Sequence, residues 1–341
     1  MESQNSVLVT GGAGFLGSHL TRSLLEDSRF DGLRIVVLDD LSGGFVENVP
    51  SSEQIRFVLG SVTDHTLVDQ LFLEHSFRYV FHLAAYAAEG LSHFIRRFNY
   101  QNNLLGSINL INASIRHAAQ HFVFTSSIAV YGSGQVPMLE STQPLPEDPY
   151  GISKFAVELD LKAAREQFGL NFTIFRPHNV YGEYQNIGDK YRNVVGIFMN
   201  RIMQGLPLPV FGDGLQQRAF SYVRDIMSPM ISAPFVARAA GEVFNVGATT
   251  PVTVLDLATS VCREFQTEPN IQFLPARNEV KIAWADHEKC ARVFGEKPAT
   301  SLTDGLHQMA NWARSVGARS SSHFDEIEIR DGLPAGWGQP A

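Results

Sequence analysis

Short apolar runs, separated by longer stretches of mixed polarity, dominate the first half of the chain. These runs lie near residues 7–9, 35–38, 56–59, 79–83, 122–124 and 172–175. Their residues are nearly all apolar and do not alternate with polar ones, which is typical of strands buried on both faces of a sheet. The stretches between them are long enough for helices, the usual crossovers between parallel strands. The first half of the chain is therefore predicted to form a doubly wound α/β sheet.

The rhythm changes after Pro177, where loops rich in Gly, Asn, Tyr and Pro begin. Further helices are predicted at 194–204, 225–240, 254–265, 287–294 and 302–315. A strand-like run at 244–246 is predicted to rejoin the first sheet. The chain is thus divided into a first domain, a smaller α/β lobe and a loosely ordered tail, with the boundaries 1–177 plus 222–248, 178–221 plus 249–318, and 319–341.

Composition places the chain among ordinary globular proteins. Hydrophobic residues make up 44% and charged residues 18% of the 341 residues, values that do not fit a disordered or coiled-coil chain. The net charge of −8 comes with no Lys/Arg-rich run, so neither nucleic acid nor a membrane surface is an expected partner. Cys262 and Cys290 show no metal-ligand spacing, and no metal site is expected. The N-terminus lacks a basic, apolar leader, so a cytoplasmic location is predicted.

The first apolar run leads directly into a glycine-rich turn. The segment reads Val7-Leu8-Val9-Thr10-Gly11-Gly12-Ala13-Gly14-Phe15-Leu16-Gly17. Its glycines permit a tight turn, let a pyrophosphate approach the backbone and allow close helix packing. Asp39 ends the second predicted strand, where a carboxylate binds the ribose diol of a dinucleotide. No arginine follows Asp40, so NAD is predicted over NADP. The alternative is an ordinary glycine-rich turn followed by a surface aspartate.

A second motif is Tyr150, followed four residues later by Lys154. On a helix this spacing places both side chains on one face. A free tyrosine has a pKa of about 10, and a neighbouring ammonium group stabilises the phenolate and lowers that pKa. Tyr150 is therefore predicted to act as a base. The alternative is a partly buried tyrosine and a solvated lysine on an amphipathic helix.

Hydroxyl side chains follow the fifth predicted strand at Thr125, Ser126 and Ser127. Ligands of open α/β sheets bind outside the carboxyl ends of the strands, so these hydroxyls are predicted to face the same crevice as the glycine turn. Serines at such positions also serve as simple turn formers. The order of the three motifs along the chain favours one shared site.

With these motifs, the sequence resembles the extended short-chain dehydrogenase/reductase family, and within it the NAD-dependent nucleotide-sugar epimerases of the UDP-glucose 4-epimerase type. The resemblance runs from about Val7 to about Trp312. It implies a Rossmann-type sheet, NAD as cofactor, and catalytic roles for Ser127, Tyr150 and Lys154. It also implies cofactor contacts from Gly11, Gly14, Phe15, Leu16, Gly17, Asp39, Asp40, Ser42, Gly43, Val62, Asp64, Leu83, Ala84, Ala85, Asn103, Tyr150, Lys154 and Pro177.

The smaller lobe resembles the substrate-binding part of these enzymes. The resemblance implies that Arg218 and Arg277 bind the diphosphate of a nucleotide sugar, since guanidinium groups suit phosphate oxygens. The alternative for both arginines is a surface ion pair. The full set of implied substrate residues is Glu89, Ser126, Ser127, Asn179, Arg218, Arg277 and Ala283.

Two of these residues bear on the identity of the sugar. Glu89 lies in a loop that is beside the sugar in relatives, where a carboxylate can accept hydroxyl hydrogen bonds; a solvated loop charge is the equal alternative. Ala283 falls where relatives gate the pocket beside the sugar C2, and its small size favours a pocket that admits N-acetylhexosamines. The alternative for Ala283 is a plain core or helix residue.

The residues after Ser127 bear on the reaction. Related 4,6-dehydratases carry an acidic pair at the positions that here are Ile128 and Ala129. The resemblance therefore favours a 4-epimerase acting on UDP-glucose and UDP-galactose, or on the N-acetylhexosamine or uronate equivalents, by transient oxidation at C4. The alternatives are another epimerase, reductase or decarboxylase acting on a dTDP- or GDP-sugar, and a non-catalytic NAD-sensing protein. The resemblance also implies a homodimer, formed through the helices predicted at 98–119 and 149–168.

Overall fold

The apolar runs of the first half form the strands of one sheet. The structure is a computed structural model that describes residues 5–277, 279–320, 324, 327–334 and 337. The strands are β1 (Ser6–Thr10), β2 (Arg34–Asp39), β3 (Ile55–Leu59), β4 (Phe77–His82), β5 (His121–Thr125), β6 (Phe172–Pro177), β7 (Val180–Tyr181), β8 (Leu208–Phe211), β9 (Gln217–Ala219), β10 (Ser221–Tyr222), β11 (Glu242–Val246), β12 (Pro251–Thr253), β13 (Ile271–Leu274) and β14 (Ile282–Ala283). The helices are α1 (Phe15–Glu26), α2 (His65–His75), α3 (Glu89–Ser92), α4 (Arg96–Tyr100), α5 (Gly106–Arg116), α6 (Pro149–Phe168), α7 (Val194–Met203), α8 (Val223–Ser232), α9 (Val254–Glu264), α10 (Glu288–Phe294) and α11 (Leu302–Val316).

A seven-stranded parallel sheet has the strand order β11-β6-β5-β4-β1-β2-β3. Successive residues of a strand point to opposite faces. Accordingly, Val7 and Val9 of β1 belong to one apolar cluster, and Leu8 between them belongs to a second cluster on the other face. Every residue of β1, β5 and β6 is buried. The predicted doubly wound α/β fold is confirmed.

The later part of the chain adds short sheets and returns to the main sheet once. Strand β11 pairs in parallel with β6 at the sheet edge, and the short sheets are β7 with β10, β8 with β13, and β12-β9-β14. The helices predicted near 194, 254, 287 and 302 are confirmed as α7, α9, α10 and α11. The helix predicted over 225–240 is shorter, because α8 ends at Ser232 and Pro234, which cannot donate a backbone hydrogen bond, lies in the following 3-10 turn.

Residues 319–341 lie partly outside the described residues. The prediction of loose order there does not fit the described residue Trp337, whose surface is only 5% exposed. Its ring packs against Tyr191 and Phe94, with ring centres 5.5 and 6.4 Å apart. The Glu328 carboxylate accepts hydrogen bonds from the backbone N–H groups of residues 97 and 98. Composition alone predicted loose order here because it does not register the burial of single aromatic side chains.

The outer faces of the helices are largely polar. Helix α6 nevertheless exposes Ile152 and Leu159, on one of the helices predicted to form a dimer contact; the dimer stays a prediction. Within the described ranges, no helix combines the length and the apolar content that crossing a bilayer requires.

A buried histidine makes stability depend on pH. His121 of β5 is 5% exposed, and Thr173 Oγ1, which donates to the Ala239 carbonyl, accepts from its Nε2 at 2.9 Å. Burial lowers the pKa of His121 to about 4, whereas in the unfolded chain a histidine titrates near 6.5. The unfolded state therefore takes up a proton first as the pH falls, and the folded state loses stability between about pH 7 and pH 4.

We expect His121 alone to lower the free energy of unfolding by about 2 kcal/mol between pH 7 and pH 5. Urea unfolding of the wild type and of His121→Gln at both pH values measures this, because glutamine keeps a donor but does not titrate. The variant should lose less stability than the wild type by about that amount. Equal losses in the two proteins would contradict the assignment.

Candidate active site

A cleft opens at the carboxyl ends of the sheet strands and is closed on its other side by residues from segments 178–221 and 249–318, which we call the smaller lobe. The glycine turn after β1 and residues that follow β2, β4, β5 and β6 line it. All residues predicted to bind substrate lie along this cleft, and so do all residues predicted to bind the cofactor except Asp64 and Asn103. The cleft therefore brings the motifs of both lobes together.

Asp64 and Asn103, which do not line the cleft, make structural hydrogen bonds instead. Asp64 caps helix α2 by accepting from the backbone N–H groups of Thr66 and Leu67, both at 3.0 Å. Asn103 lies in a π-helical turn between α4 and α5, where its amide accepts from Tyr86 N at 2.8 Å and donates to Tyr86 O at 3.1 Å. Asn103 thus holds the loop that follows β4.

The glycine turn leaves an anion site at the start of α1. Gly11 has φ +72°, and a Cβ there would lie 2.7 Å from Ala84 N. A Cβ on Gly17 would collide with the Gly11 carbonyl, so helix α1 can approach the turn only with glycine at that position. No side chain caps α1, and its first turn holds no acidic residue. Its free N–H groups and positive dipole end therefore suit a pyrophosphate.

Asp39 is fixed at the end of β2 beside this turn. Its carboxylate accepts from Ala13 N at 3.0 Å and from Leu41 N at 2.8 Å. Burial raises the pKa of Asp39, and these hydrogen bonds oppose the rise. A carboxylate held in this way fits the ribose diol of a dinucleotide.

Tyr150 and Lys154 lie on one face of α6, whose N-cap is Asp148. The Asp148 carboxylate accepts from Gly151 N at 2.9 Å, which fixes the start of the helix and hence the position of Tyr150. Ser127 and Tyr150 both line the cleft, and the Ser127 side chain lowers the pKa of Tyr150. Lys154 Nζ lies 5.9 Å from the centre of the Tyr150 ring and donates to the Thr125 carbonyl at 2.8 Å.

The protonation of this pair differs from the sequence-based prediction. Burial raises the pKa of Tyr150, and the Ser127 side chain opposes the rise only in part. Burial also lowers the pKa of Lys154 to about 7. The prediction considered the ammonium as a stabilising neighbour but not the cost of burying both charges, which decides the outcome here.

Arg218 and Arg277 meet at a shared carboxylate in the smaller lobe. Nη2 atoms of both arginines approach Glu279 Oε2, at 3.5 Å from Arg218 and 3.2 Å from Arg277. The Arg277 guanidinium also lies 4.5 Å from the centre of the Phe211 ring. Ala283 stands beside Arg218 in the register of β14 with β9. Both arginines thus make ion pairs, as the alternative had it, but they make them inside the cleft.

Glu89 begins the short helix α3 and presents its carboxylate to the cleft. Its side chain is exposed to solvent within the cleft, but partial desolvation by the surrounding protein, together with the negative charge of Asp148, raises the pKa of Glu89 to about 7, against the opposing charges of Arg218 and Arg277. Near neutral pH this carboxyl is therefore divided between its protonated and ionised forms.

Comparison with known proteins agrees with this arrangement. Residues 7–247, more than half of the chain, match the model of the NAD dependent epimerase/dehydratase family. The chain belongs to that family.

Several relatives cover nearly the whole chain. A UDP-glucose 4-epimerase from Thermotoga maritima, solved with UDP-glucose, is 32% identical, with a TM-score of 0.85 over 91% of this chain and 99% of that one. A UDP-N-acetylglucosamine 4-epimerase from Methanobrevibacter ruminantium, solved with UDP-N-acetylmuramic acid, is 29% identical, with a TM-score of 0.83 over 93% and 100%. A dTDP-glucose 4,6-dehydratase from an Actinoplanes species is 31% identical over 91% of this chain and 98% of its own length. These relatives include both reaction types of the family.

As an epimerase/dehydratase family member, the chain is an extended short-chain dehydrogenase/reductase with NAD as its cofactor. The cleft fits that cofactor in its own right, because the uncapped start of α1 suits the pyrophosphate and the fixed Asp39 carboxylate suits a ribose.

A buried ion pair supports the Tyr150–Lys154 end of this cleft. Glu158 of α6 accepts from Arg176 Nε at 2.9 Å and from Ser126 Oγ at 2.5 Å. The side chains of Glu158 and Arg176 are 0% and 3% exposed. Burial would lower the pKa of Arg176, but the hydrogen bond and charge of Glu158 raise it, so Arg176 stays ionised. Ser126, predicted as a substrate residue, therefore directs its hydroxyl to this pair.

Sequence reasoning missed Arg192, which lines the cleft. Its guanidinium donates from Nε to Asp189 Oδ2 at 2.7 Å and lies 4.6 Å from the centre of the Tyr86 ring. No motif marks it, since it stands in an irregular loop before α7. The sequence shows only an arginine three residues after an aspartate in a polar loop.

We expect Glu158→Gln to lower the free energy of unfolding by about 3–5 kcal/mol, because Arg176 would keep a buried charge without a counter-charge. Urea unfolding measures the loss. Glu166→Gln, an exposed change on the same helix, is the control and should stay within about 0.5 kcal/mol of the wild type. Similar unfolding midpoints for the two variants would show that the pair does not contribute as argued.

Proposed function

We propose that this chain is a UDP-sugar 4-epimerase. The observation that carries the proposal is the composition of the cleft wall after β5. Ser127 and Tyr150 both line the cleft there, while the next two residues, Ile128 and Ala129, are apolar. A dehydratase needs an acid at this point to release the C6 hydroxyl, whereas an epimerase needs only proton exchange at the C4 oxygen.

The chain's own side chains perform that proton exchange. Tyr150 must first lose its own proton against its raised pKa; as the phenolate it takes the proton of the C4 hydroxyl and later returns it, and Ser127 hydrogen-bonds the same oxygen. Lys154, with its pKa lowered to about 7, can bind or release a proton near neutral pH beside this pair. NAD, when bound, supplies the chemistry of accepting and returning a hydride. The sugar must rotate between these two events, so that the hydride returns to its opposite face. Because the hydride is returned, no net oxidation results.

The diphosphate end of the substrate is assigned to Arg218 and Arg277. Both guanidinium groups line the cleft and already converge on one carboxylate, that of Glu279. Two such forks at one point suit a diphosphate. UDP is proposed as the nucleotide on the resemblance to the UDP-sugar epimerases, with dTDP- and GDP-sugars as the alternatives.

A 4,6-dehydratase is the second candidate, and Glu89 is the observation that favours it. A carboxyl with its pKa raised to about 7 can donate a proton to a leaving hydroxyl. Burial raises the pKa of Asp148 as well, but its carboxylate is engaged in capping α6 and accepts from Ser92, and these hydrogen bonds oppose the rise. Glu89 belongs to the segment after β4 and not to the cleft wall after β5, so we rank this candidate second.

We expect the purified protein, without added NAD, to convert UDP-glucose, UDP-N-acetylglucosamine or UDP-glucuronate into its C4 epimer. Proton NMR reads the C4 configuration directly. Incubation with dTDP-glucose tests the second candidate, whose product is a 4-keto-6-deoxy sugar. Formation of that product, or no reaction with any UDP-sugar even when NAD is supplied, would exclude the proposal.

Tyr150→Phe is the matched control for this reaction. It removes the hydroxyl that exchanges the proton, so turnover should fall by about 10²–10⁴-fold while NAD remains bound. Turnover close to that of the wild type would show that Tyr150 is not the base.

We expect Ala283→Tyr to abolish activity on UDP-N-acetylglucosamine and to leave activity on UDP-glucose. Ala283 is 6% exposed, lines the cleft and neighbours Arg218 in the β9–β14 register, so a large side chain there would occupy cleft space. Ala283→Ser, which stays small, should keep the wild-type preference. The ratio of kcat/KM for the two sugars measures the change, and an unaltered ratio in the tyrosine variant would remove Ala283 as the gate.

A further inference from the structure

Arg192 comes from the smaller lobe and reaches the dinucleotide side of the cleft. Its side chain is 14% exposed, and its guanidinium is held between the Asp189 carboxylate and the face of the Tyr86 ring. Asp189 is itself fixed, because its other oxygen accepts from Tyr191 N at 2.8 Å. The guanidinium is therefore held in place before any ligand enters.

The topology of the sheet shows what lies beneath this guanidinium. A Cβ on Gly43 would stand 3.1 Å from Arg192 Nη2, so the guanidinium rests against Gly43. Gly43 follows β2 and Tyr86 follows β4, and β1 lies between those two strands in the sheet. A group that touches both Gly43 and Tyr86 spans the turn that follows β1, which is the glycine turn.

The loop of Gly43 also packs directly on that turn. A Cβ on Gly44 would collide with the Ala13 carbonyl and would stand 2.6 Å from Gly14 N. Phe45 N donates to Ala13 O at 3.0 Å. Arg192 thus contacts the loop that borders the start of α1, where free N–H groups suit a pyrophosphate.

The charged residues that line the cleft indicate which ligand Arg192 suits. Asp39 and Asp40 add negative charge to the dinucleotide wall of the cleft. Among the lysines and arginines that line the cleft in the described ranges, Arg218 and Arg277 pair with Glu279, and Lys154 donates to the Thr125 carbonyl after β5. Of these four cations, Arg192 is the one that contacts the loop packed against the glycine turn, at Gly43.

We propose that Arg192 binds the pyrophosphate of NAD from the side opposite the glycine turn, so that the smaller lobe contributes directly to holding the cofactor. A guanidinium fork suits two phosphate oxygens, and a cation on this side complements the backbone N–H groups on the other. The assignment concerns the bound cofactor and does not depend on which reaction the enzyme catalyses.

Arg319 and Trp337, described residues near the C-terminus, contact the same loops. Tyr191, next to Arg192, donates from its hydroxyl to the Trp337 carbonyl at 3.1 Å. The Arg319 guanidinium lies 3.8 Å from the centre of the Phe45 ring, in the loop that follows Gly43 and Gly44. Both loops that meet at Arg192 are therefore braced by the same part of the chain.

A diphosphate at Arg192 has two possible sources, the cofactor and the nucleotide sugar. Titration calorimetry with ADP-ribose and with UDP separates them, because ADP-ribose carries the cofactor's pyrophosphate without nicotinamide and UDP carries that of the substrate. NAD retained through gel filtration and measured by chromatography gives a third readout that is independent of activity.

We expect Arg192→Met to weaken binding of NAD and ADP-ribose by about 10- to 100-fold, as for the loss of a charge-assisted hydrogen bond. UDP binding should change by less than about threefold. The loss should shrink as salt is raised, which a purely structural role would not produce. Arg224→Met, an arginine with a 61% exposed side chain outside the cleft, should bind all three ligands as the wild type does.

Removal of Arg192 leaves the buried Asp189 without its partner, so a second variant keeps the test clear of folding defects. The double variant Asp189→Asn, Arg192→Met removes both charges and should show the same weakening of ADP-ribose with a wild-type melting temperature. ADP-ribose binding within threefold of the wild type in both variants, or a weakening confined to UDP, would overturn the proposal.

Discussion

The buried ion pair between Glu158 and Arg176 is the constraint on which the Tyr150–Lys154 end of the cleft depends. It joins helix α6, which carries Tyr150 and Lys154, to the end of β6, and it also fixes Ser126 after β5. Arg176 extends the network, because its guanidinium lies 4.7 Å from the centre of the Tyr131 ring, and the Tyr131 hydroxyl donates to Asn245 of β11. Three neighbouring strands and one helix are thereby held in one geometry. The proton exchange proposed for Tyr150 requires such fixed distances.

The cofactor half of the site could be predicted from the sequence, whereas the residues that close it could not. The glycine turn and the Tyr150–Lys154 spacing follow from local rules, since each depends on residues within a turn or two. The position of Arg192 depends on Gly43 and Tyr86, which are distant in sequence and meet only in the folded sheet. The protonation of Tyr150 and Lys154 also escaped prediction, because it depends on burial. Sequence patterns identified the elements and the edge where they meet, but not the contacts across the cleft.

The distribution of charge explains how an acidic chain presents a cleft suited to anions. Its net charge is −8, yet Lys154, Arg192, Arg218 and Arg277 all line the same cleft. Asp189 and Glu279 hold three of these cations by ion pairs, so the guanidinium groups are positioned in advance. A phosphate that enters must share these cations with the carboxylates. This competition lowers the affinity for the phosphate, while the ion pairs keep the guanidinium groups in position. Such local pairing allows specific binding of a dinucleotide and a sugar nucleotide without a broadly basic surface.

The return of β11 to the main sheet also has a consequence for synthesis on the ribosome. Strand β6 ends at Pro177, but its outer neighbour β11 is translated only at residues 242–246, after α7, α8 and four short strands have been made between them. Until then β6 is an open edge with buried-type residues on both faces, which invites pairing with another chain. The main sheet of the nascent chain is thus complete only when more than two thirds of the protein has left the ribosome. Co-translational assistance would matter most in that interval.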